Sequence, residues 1–104
     1  MRPVDWTEER PWVAWMGVKS FATREDLMVC PEELLEAALR ACRSDSVEDR
    51  FGASELVFEH GKARIESGDW SGALWLKRLT ELRLRSEVIF EAYEIDPYLH
   101  PRLH

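Results

Sequence analysis

The sequence predicts an α+β protein of the ferredoxin-like class, βαββαβ, with two helices on one face of a four-stranded antiparallel sheet. Three observations predict it. Leu56 to His60 and Ala63 to Ser67 alternate apolar and polar residues on either side of His60-Gly61, a glycine-bearing bend. Leu34, Leu35, Ala38, Leu39 and Cys42 form an apolar stripe at helical spacing. Taken in order, the elements run strand, helix, strand, strand, helix, strand.

Residues 1–10 carry Pro3, Asp5, Thr7 and paired glutamates, and read as an irregular arm anchored by Trp6. Pro11 then precedes Trp-Val-Ala-Trp-Met-Gly-Val, residues 12–18. Aromatic and β-branched residues in so short a run favour a strand. Both of its faces are apolar, so it reads as a central strand. Thr23 and Asp26 have capping-box spacing and allow a short helical turn. Leu27 to Val29 is a possible extra strand. Pro31 opens the first long helix, with Glu32 and Glu33 at its positive end and Arg40 and Arg43 at its negative end.

Ser44 to Ser54 reads as a polar loop, with a helical turn started by Ser46 and Asp49. The hairpin follows, and Gly68 ends its second strand. Asp69 caps a helix whose inner face is Trp75, Leu76, Leu79 and Leu82. From Leu82 the period changes to two, so Arg85 to Ile95 is the closing strand, ended by Asp96-Pro97. One domain is expected, with its core in residues 11–96 and an irregular tail in 97–104.

The same block supports a second reading. Gly61, Gly68, Asp69, Trp70, Ala73 and Leu74 stand at spacings that resemble the tetratricopeptide repeat. The resemblance covers about 30 residues and occurs once. It implies that Ser54 to Ser67 is helical, and that the protein is an all-α, helical-hairpin docking module. Lys77, Thr80 and Arg85 depart from the repeat's pattern, and a lone repeat cannot bury its own apolar face.

With 104 residues, the chain is long enough for one core without metal or disulfide support. Its 45% hydrophobic and 33% charged residues are ordinary for a globular protein. No apolar run approaches the roughly 18 residues that span a bilayer, so no membrane association and a cytoplasmic, unprocessed chain are expected. A formal net charge of −6 argues against phosphate-backbone binding. RNA-recognition modules share the predicted superfold. They place stacking aromatics on both central strands, whereas Lys62 to Ser67 has none. Nucleic acid is therefore an unlikely partner.

Candidate chemistry is sparse. His100 and His104 are four residues apart but flank Pro101, and a zinc site wants further ligands. His60 is expected at a turn, facing water. Cys30 stands at a helix start, the one position in the chain with a physical reason for thiol reactivity. No histidine or second cysteine is near it in sequence, so a buried, inert thiol is expected. Cys30 and Cys42 bracket one helix, which sets them about 18 Å apart, too far for a disulfide. Glu66 and Glu91 are explained by ion pairs with Arg64 or Arg85. No glycine-rich phosphate loop exists. No metal and no cofactor are expected.

These readings point to a small acidic, non-catalytic protein-interaction or regulatory domain, of regulator, inhibitor or immunity type. It would act through an aromatic sheet face or edge formed by Trp12, Trp15, Ile89, Glu91, Tyr93 and Ile95, on a protein partner or as a homodimer. The alternative is a dimeric ferredoxin-like protein enclosing a small-molecule pocket between sheets, as a binder or cofactor-free enzyme. Trp12, Trp15 and Tyr93 would line that pocket, with Glu91 or His60 as its polar group.

Overall fold

The computed structural model describes residues 5–82, and every regular element among them is a helix: α1 (Pro11–Val18), α2 (Arg24–Met28), α3 (Glu32–Ala41), α4 (Val47–Glu66) and α5 (Gly72–Glu81). The four-stranded sheet is overturned, and the all-α alternative fits. The expected closing strand, Arg85 to Ile95, and the tail lie outside the described residues.

The central element is α4. Ser46 caps its start, its hydroxyl oxygen accepting from the Asp49 N–H at 3.3 Å. Glu48 and Asp49 occupy the first turn, where the helix dipole favours them. The helix then runs without a break through His60-Gly61, so no hairpin forms there. Each of the other four helices packs on α4. Its middle, from Gly52 to Gly61, is buried at every position but Glu59. Such a helix has no polar face for a helical period to reveal.

The predicted first strand is α1. Pro11 occupies the first helical turn, where its missing N–H costs nothing. Trp12 and Trp15, three apart, point inward together. A short run that is apolar all round fits a buried helix as well as a central strand. In α2, the capping box is present in full. The Thr23 hydroxyl accepts from the Asp26 N–H, and the Asp26 carboxylate accepts from the Thr23 N–H at 2.8 Å. Leu27 is a buried residue of this helix rather than part of a strand. In α3, the expected stripe holds: Leu35, Ala38, Leu39 and Cys42 are buried and Leu34 half-buried. Pro31 takes the N-cap position, one residue earlier than expected.

A glycine turn joins α4 to α5. Gly68 has φ of 94°, a conformation that side chains with a Cβ resist. The Gly68 N–H donates to Ile65 O at 2.9 Å and the Asp69 N–H to Arg64 O at 2.8 Å, the paired bonds of a Schellman stop. The Asp69 carboxylate then accepts from the Ser71 N–H at 3.0 Å and starts the next turn. As expected, α5 turns Trp75, Leu76 and Leu79 inward. Each such side chain stabilises the fold by roughly 1.5–3 kcal/mol when fully buried.

Two glycines let α4 and α5 touch backbone to backbone. A Cβ at Gly61 would lie 2.7 Å from Leu76 Cδ2 and 2.9 Å from the Gly72 carbonyl oxygen. A Cβ at Gly72 would lie 2.8 Å from Arg64 Cβ and closer still to the Gly61 carbonyl oxygen.

The glycines therefore separate by substitution. In urea unfolding, Gly72→Ala is expected to lower stability by about 1–3 kcal/mol through overpacking, despite alanine's better helix propensity. Gly17→Ala, where nothing lies within 4 Å of the new Cβ, is expected to raise it by up to about 1 kcal/mol.

Candidate functional site

Trp12 and Trp15 are core residues, 8% and 2% exposed. No sheet face presents them among the described residues. The Trp12 indole N–H donates to Asp49 Oδ1 at 3.0 Å, and Arg10 Nη1 donates to the same oxygen at 3.0 Å. This carboxylate pins α1 to the first turn of α4. Ile89, Glu91, Tyr93 and Ile95 lie outside the described residues, as do His100 and His104. The structure therefore brings together only the two tryptophans of the expected set, and it does so inside the core.

Trp15 also forms part of the wall of an open cleft of about 430 Å³ between the α1–α2 connection and α4. The cleft rim alternates in charge. Lys19 pairs with Glu55 at 3.4 Å, Lys62 with Glu59 at 3.6 Å, and Arg24 with Glu66 at 3.3 Å. The Lys19 ammonium lies 5.7 Å from the centre of the Trp15 ring. Burial pushes the Glu59 carboxyl above its ordinary range, against the pull of Lys62. The Trp15 indole N–H is buried with no hydrogen-bond partner among the described residues.

Next to the cleft, α4 also holds a polar cluster that reaches Leu27, one of the cleft's lining residues. His60 is fully buried, not at a water-facing turn as expected. Its Nδ1 lies 2.9 Å from the Leu27 carbonyl oxygen of α2, and Arg64 Nε donates to its Nε2 at 2.7 Å. A carbonyl oxygen only accepts and a guanidinium only donates, so the ring is neutral with its proton on Nδ1. Arg64 Nη1 continues the chain to Asp69 Oδ2 at 2.8 Å. Burial is the main cause that lowers the His60 pKa. Both ring nitrogens are already engaged, so the histidine is not a free base.

Cys30 completes this neighbourhood without making it catalytic. It is 3% exposed, and burial pushes its thiol up to about 12, with Arg64 opposing weakly. A nucleophile needs the reverse shift. Cys42 is likewise buried, and the two cysteines form no disulfide. Among the described residues, no group of three or more His, Cys, Asp or Glu is placed to hold a metal ion.

A second groove, of about 370 Å³, lies between α3 and α5. Arg78 of α5 spans it with two hydrogen bonds to the Glu36 carboxylate, one of 2.8 Å, and stacks 5.2 Å from the centre of the Trp75 ring. Beside it, Trp70 and Leu74 are 48% and 62% exposed. Leu74 lies in the first turn of α5 and lines this groove, and Trp70 stands in the turn just ahead of the helix.

The sequence places His60 at a water-facing turn and pairs Arg64 with a glutamate, so the bond between them goes unseen, as does the exposure of Trp70 and Leu74. The i,i+4 spacing of His60 and Arg64 was the available signal, but it has meaning only on a helix. Comparison with known proteins found no matching family, no matching curated protein and no matching solved structure. No helix among the described residues is long and apolar enough to cross a membrane.

The thiol environment has a direct consequence. Iodoacetamide at neutral pH is expected to leave Cys30 and Cys42 unmodified in the native protein and to label both in denaturant, as mass spectrometry would read. Rapid native labelling of Cys30 would contradict the burial and raised pKa described above.

Proposed function

We propose that this chain is a small, non-catalytic helical interaction domain that works as a homodimer, and that its contact surface is the outer side of α5. One observation carries the reading: Leu74, in the first turn of α5 and on the wall of an open groove, and Trp70, in the turn just ahead of that helix, are both exposed. Large exposed apolar side chains of this kind favour protein contact, and tryptophan is a common anchor there. The rim carries both signs, Glu32, Glu36 and Glu81 with Lys77 and Arg78. A mixed rim suits self-complementary contact across a two-fold axis. A cytoplasmic setting belongs to the same proposal, supported by two buried cysteines that are not joined in a disulfide.

A second reading rests on the other side of the molecule. The cleft walled by Trp15 has the volume of a small-ligand site, and the Trp15 indole N–H, with no hydrogen-bond partner among the described residues, is a donor in want of an acceptor. Lys19, Arg24 and Lys62 at its rim favour a small aromatic carboxylate.

Sedimentation velocity tests the first reading. Wild type is expected to dimerise at micromolar concentration, and Leu74→Glu to be monomeric with an unchanged melting temperature. A wild-type chain that stays monomeric at every concentration sinks the dimer. Benzoate tests the second. Millimolar benzoate is expected to shift the Trp15 indole N–H resonance in a saturable manner, and an unmoved resonance excludes that site for this ligand class.

A further inference from the structure

We infer that His60, Arg64 and Asp69 form a proton-sensitive clamp, which ties α2 and the α4–α5 turn to α4 and is released when His60 takes up a proton. The inference stands apart from the docking surface and the cleft. It rests on the direction of three hydrogen bonds. His60 Nδ1–H donates to the Leu27 carbonyl, His60 Nε2 accepts from Arg64 Nε, and Arg64 Nη1 donates to Asp69. The clamp requires an imidazole with exactly one ring proton. A second proton, on Nε2, would set N–H against N–H across a contact of 2.7 Å, with two cations side by side.

The surroundings give the imidazolium little help. Among the described residues, the charged groups acting on His60 are Arg64, from its own helix, and Asp69, from the turn. Asp69 favours the imidazolium, but its carboxylate is already held by Arg64 and Ser71. Cys30, ahead of α3, is a neutral thiol at any ordinary pH. From α5 the facing group is the Trp75 ring, edge-on at 6.4 Å between centroids, and from α2 it is the Leu27 carbonyl. A protonated ring therefore cannot keep Arg64 where it is. Arg64 is also the residue whose Cβ packs on Gly72 and whose carbonyl accepts the Asp69 N–H, so its displacement reaches the turn directly.

The sign follows from linkage. His60 is harder to protonate in the folded chain than in the unfolded one. Its contribution to stability is fully present above the ordinary histidine value of about 6.5 and is lost as pH falls below it. Glu59, with its carboxyl raised by burial, acts in the opposite sense, since its protonation favours the folded chain.

The test uses the full chain carrying His100→Gln and His104→Gln, so that His60 is the one imidazole. Its ring nitrogens, followed by NMR, are expected to show the Nδ1–H tautomer at neutral pH and to titrate below about 6.5. The urea midpoint is expected to fall between about pH 7.5 and about pH 5, the histidine range. Amide-exchange protection of the Gly68 and Asp69 N–H groups should fall with it. His60→Gln in the same background should lose most of the pH dependence, leaving the opposite drift from Glu59. An imidazole that titrates at or above 6.5 overturns the clamp. So does a His60→Gln chain whose midpoint falls as steeply as its parent's. Should that variant fail to fold, the imidazole titration decides alone.

Discussion

The close passage of α4 over α5 at Gly61 and Gly72 is the constraint from which the rest of the arrangement follows. With no side chain on either residue, the carbonyl of each helix sits where a Cβ of the other would have to go. Helix pairs ordinarily keep axes about 8–10 Å apart because side chains fill the gap. Here that spacer is missing on both sides at one point. The approach presses Leu76 against α4 and lays the stem of Arg64 beside Gly72. It also demands a short, sharply closed connection, which the left-handed Gly68 and the bonds to Arg64 O and Ile65 O supply. Asp69 is brought under the Arg64 guanidinium by the same turn.

Burying α4 on nearly all sides has an electrostatic cost that the short helices and turns offset. Arg50, Ser54, Glu55 and His60 are all buried, and a buried polar group without a partner costs on the order of 1–3 kcal/mol. Arg50 donates to the carbonyls of Ser44 and Asp45 in the turn before α4. The Ser54 hydroxyl donates to the Phe51 carbonyl, Glu55 receives Lys19 from the end of α1, and His60 reaches the Leu27 carbonyl. The polar interior of α4 thus specifies which neighbour lies where, a role that apolar packing alone performs poorly.

How much of this was legible depended on whether each helix keeps a wet side. For α3 and α5, a polar face opposes an apolar one, and Leu35, Ala38 and Leu39, or Trp75, Leu76 and Leu79, stand out at helical spacing. The Thr23–Asp26 box and the Ser46 cap were visible for the same local reason: a side chain bonds to its own backbone a few residues on. α1 and α4 offered no such contrast. Trp12 to Val18 is apolar in every direction, so its period is undefined. In α4 the alternation around Gly61 was real in the sequence, but its cause was a glycine needed for a helix crossing, not for a bend. His60 was misplaced with it. No sequence pattern distinguishes a histidine in a turn from one buried against Arg64 until the backbone between them is known to be helical.

The same burial decides where this molecule can meet others. A central helix that spends its surface on four neighbours leaves little of itself for contact, so any contact surface falls to the outer sides of the short helices. Those sides are not equivalent. The Trp15 cleft is rimmed by cations already paired with Glu55, Glu59 and Glu66, and a ligand entering it must compete with those carboxylates. The start of α5 carries no such prior engagement on Leu74, an aliphatic side chain left 62% in water. Covering apolar area there displaces water without first breaking an ion pair. Arg78 and Glu36, held to one another alongside, form a polar border that a partner's own charges can meet in place. The proposed docking side therefore demands less rearrangement than the cleft, and it lies on the helix whose close approach the two glycines set.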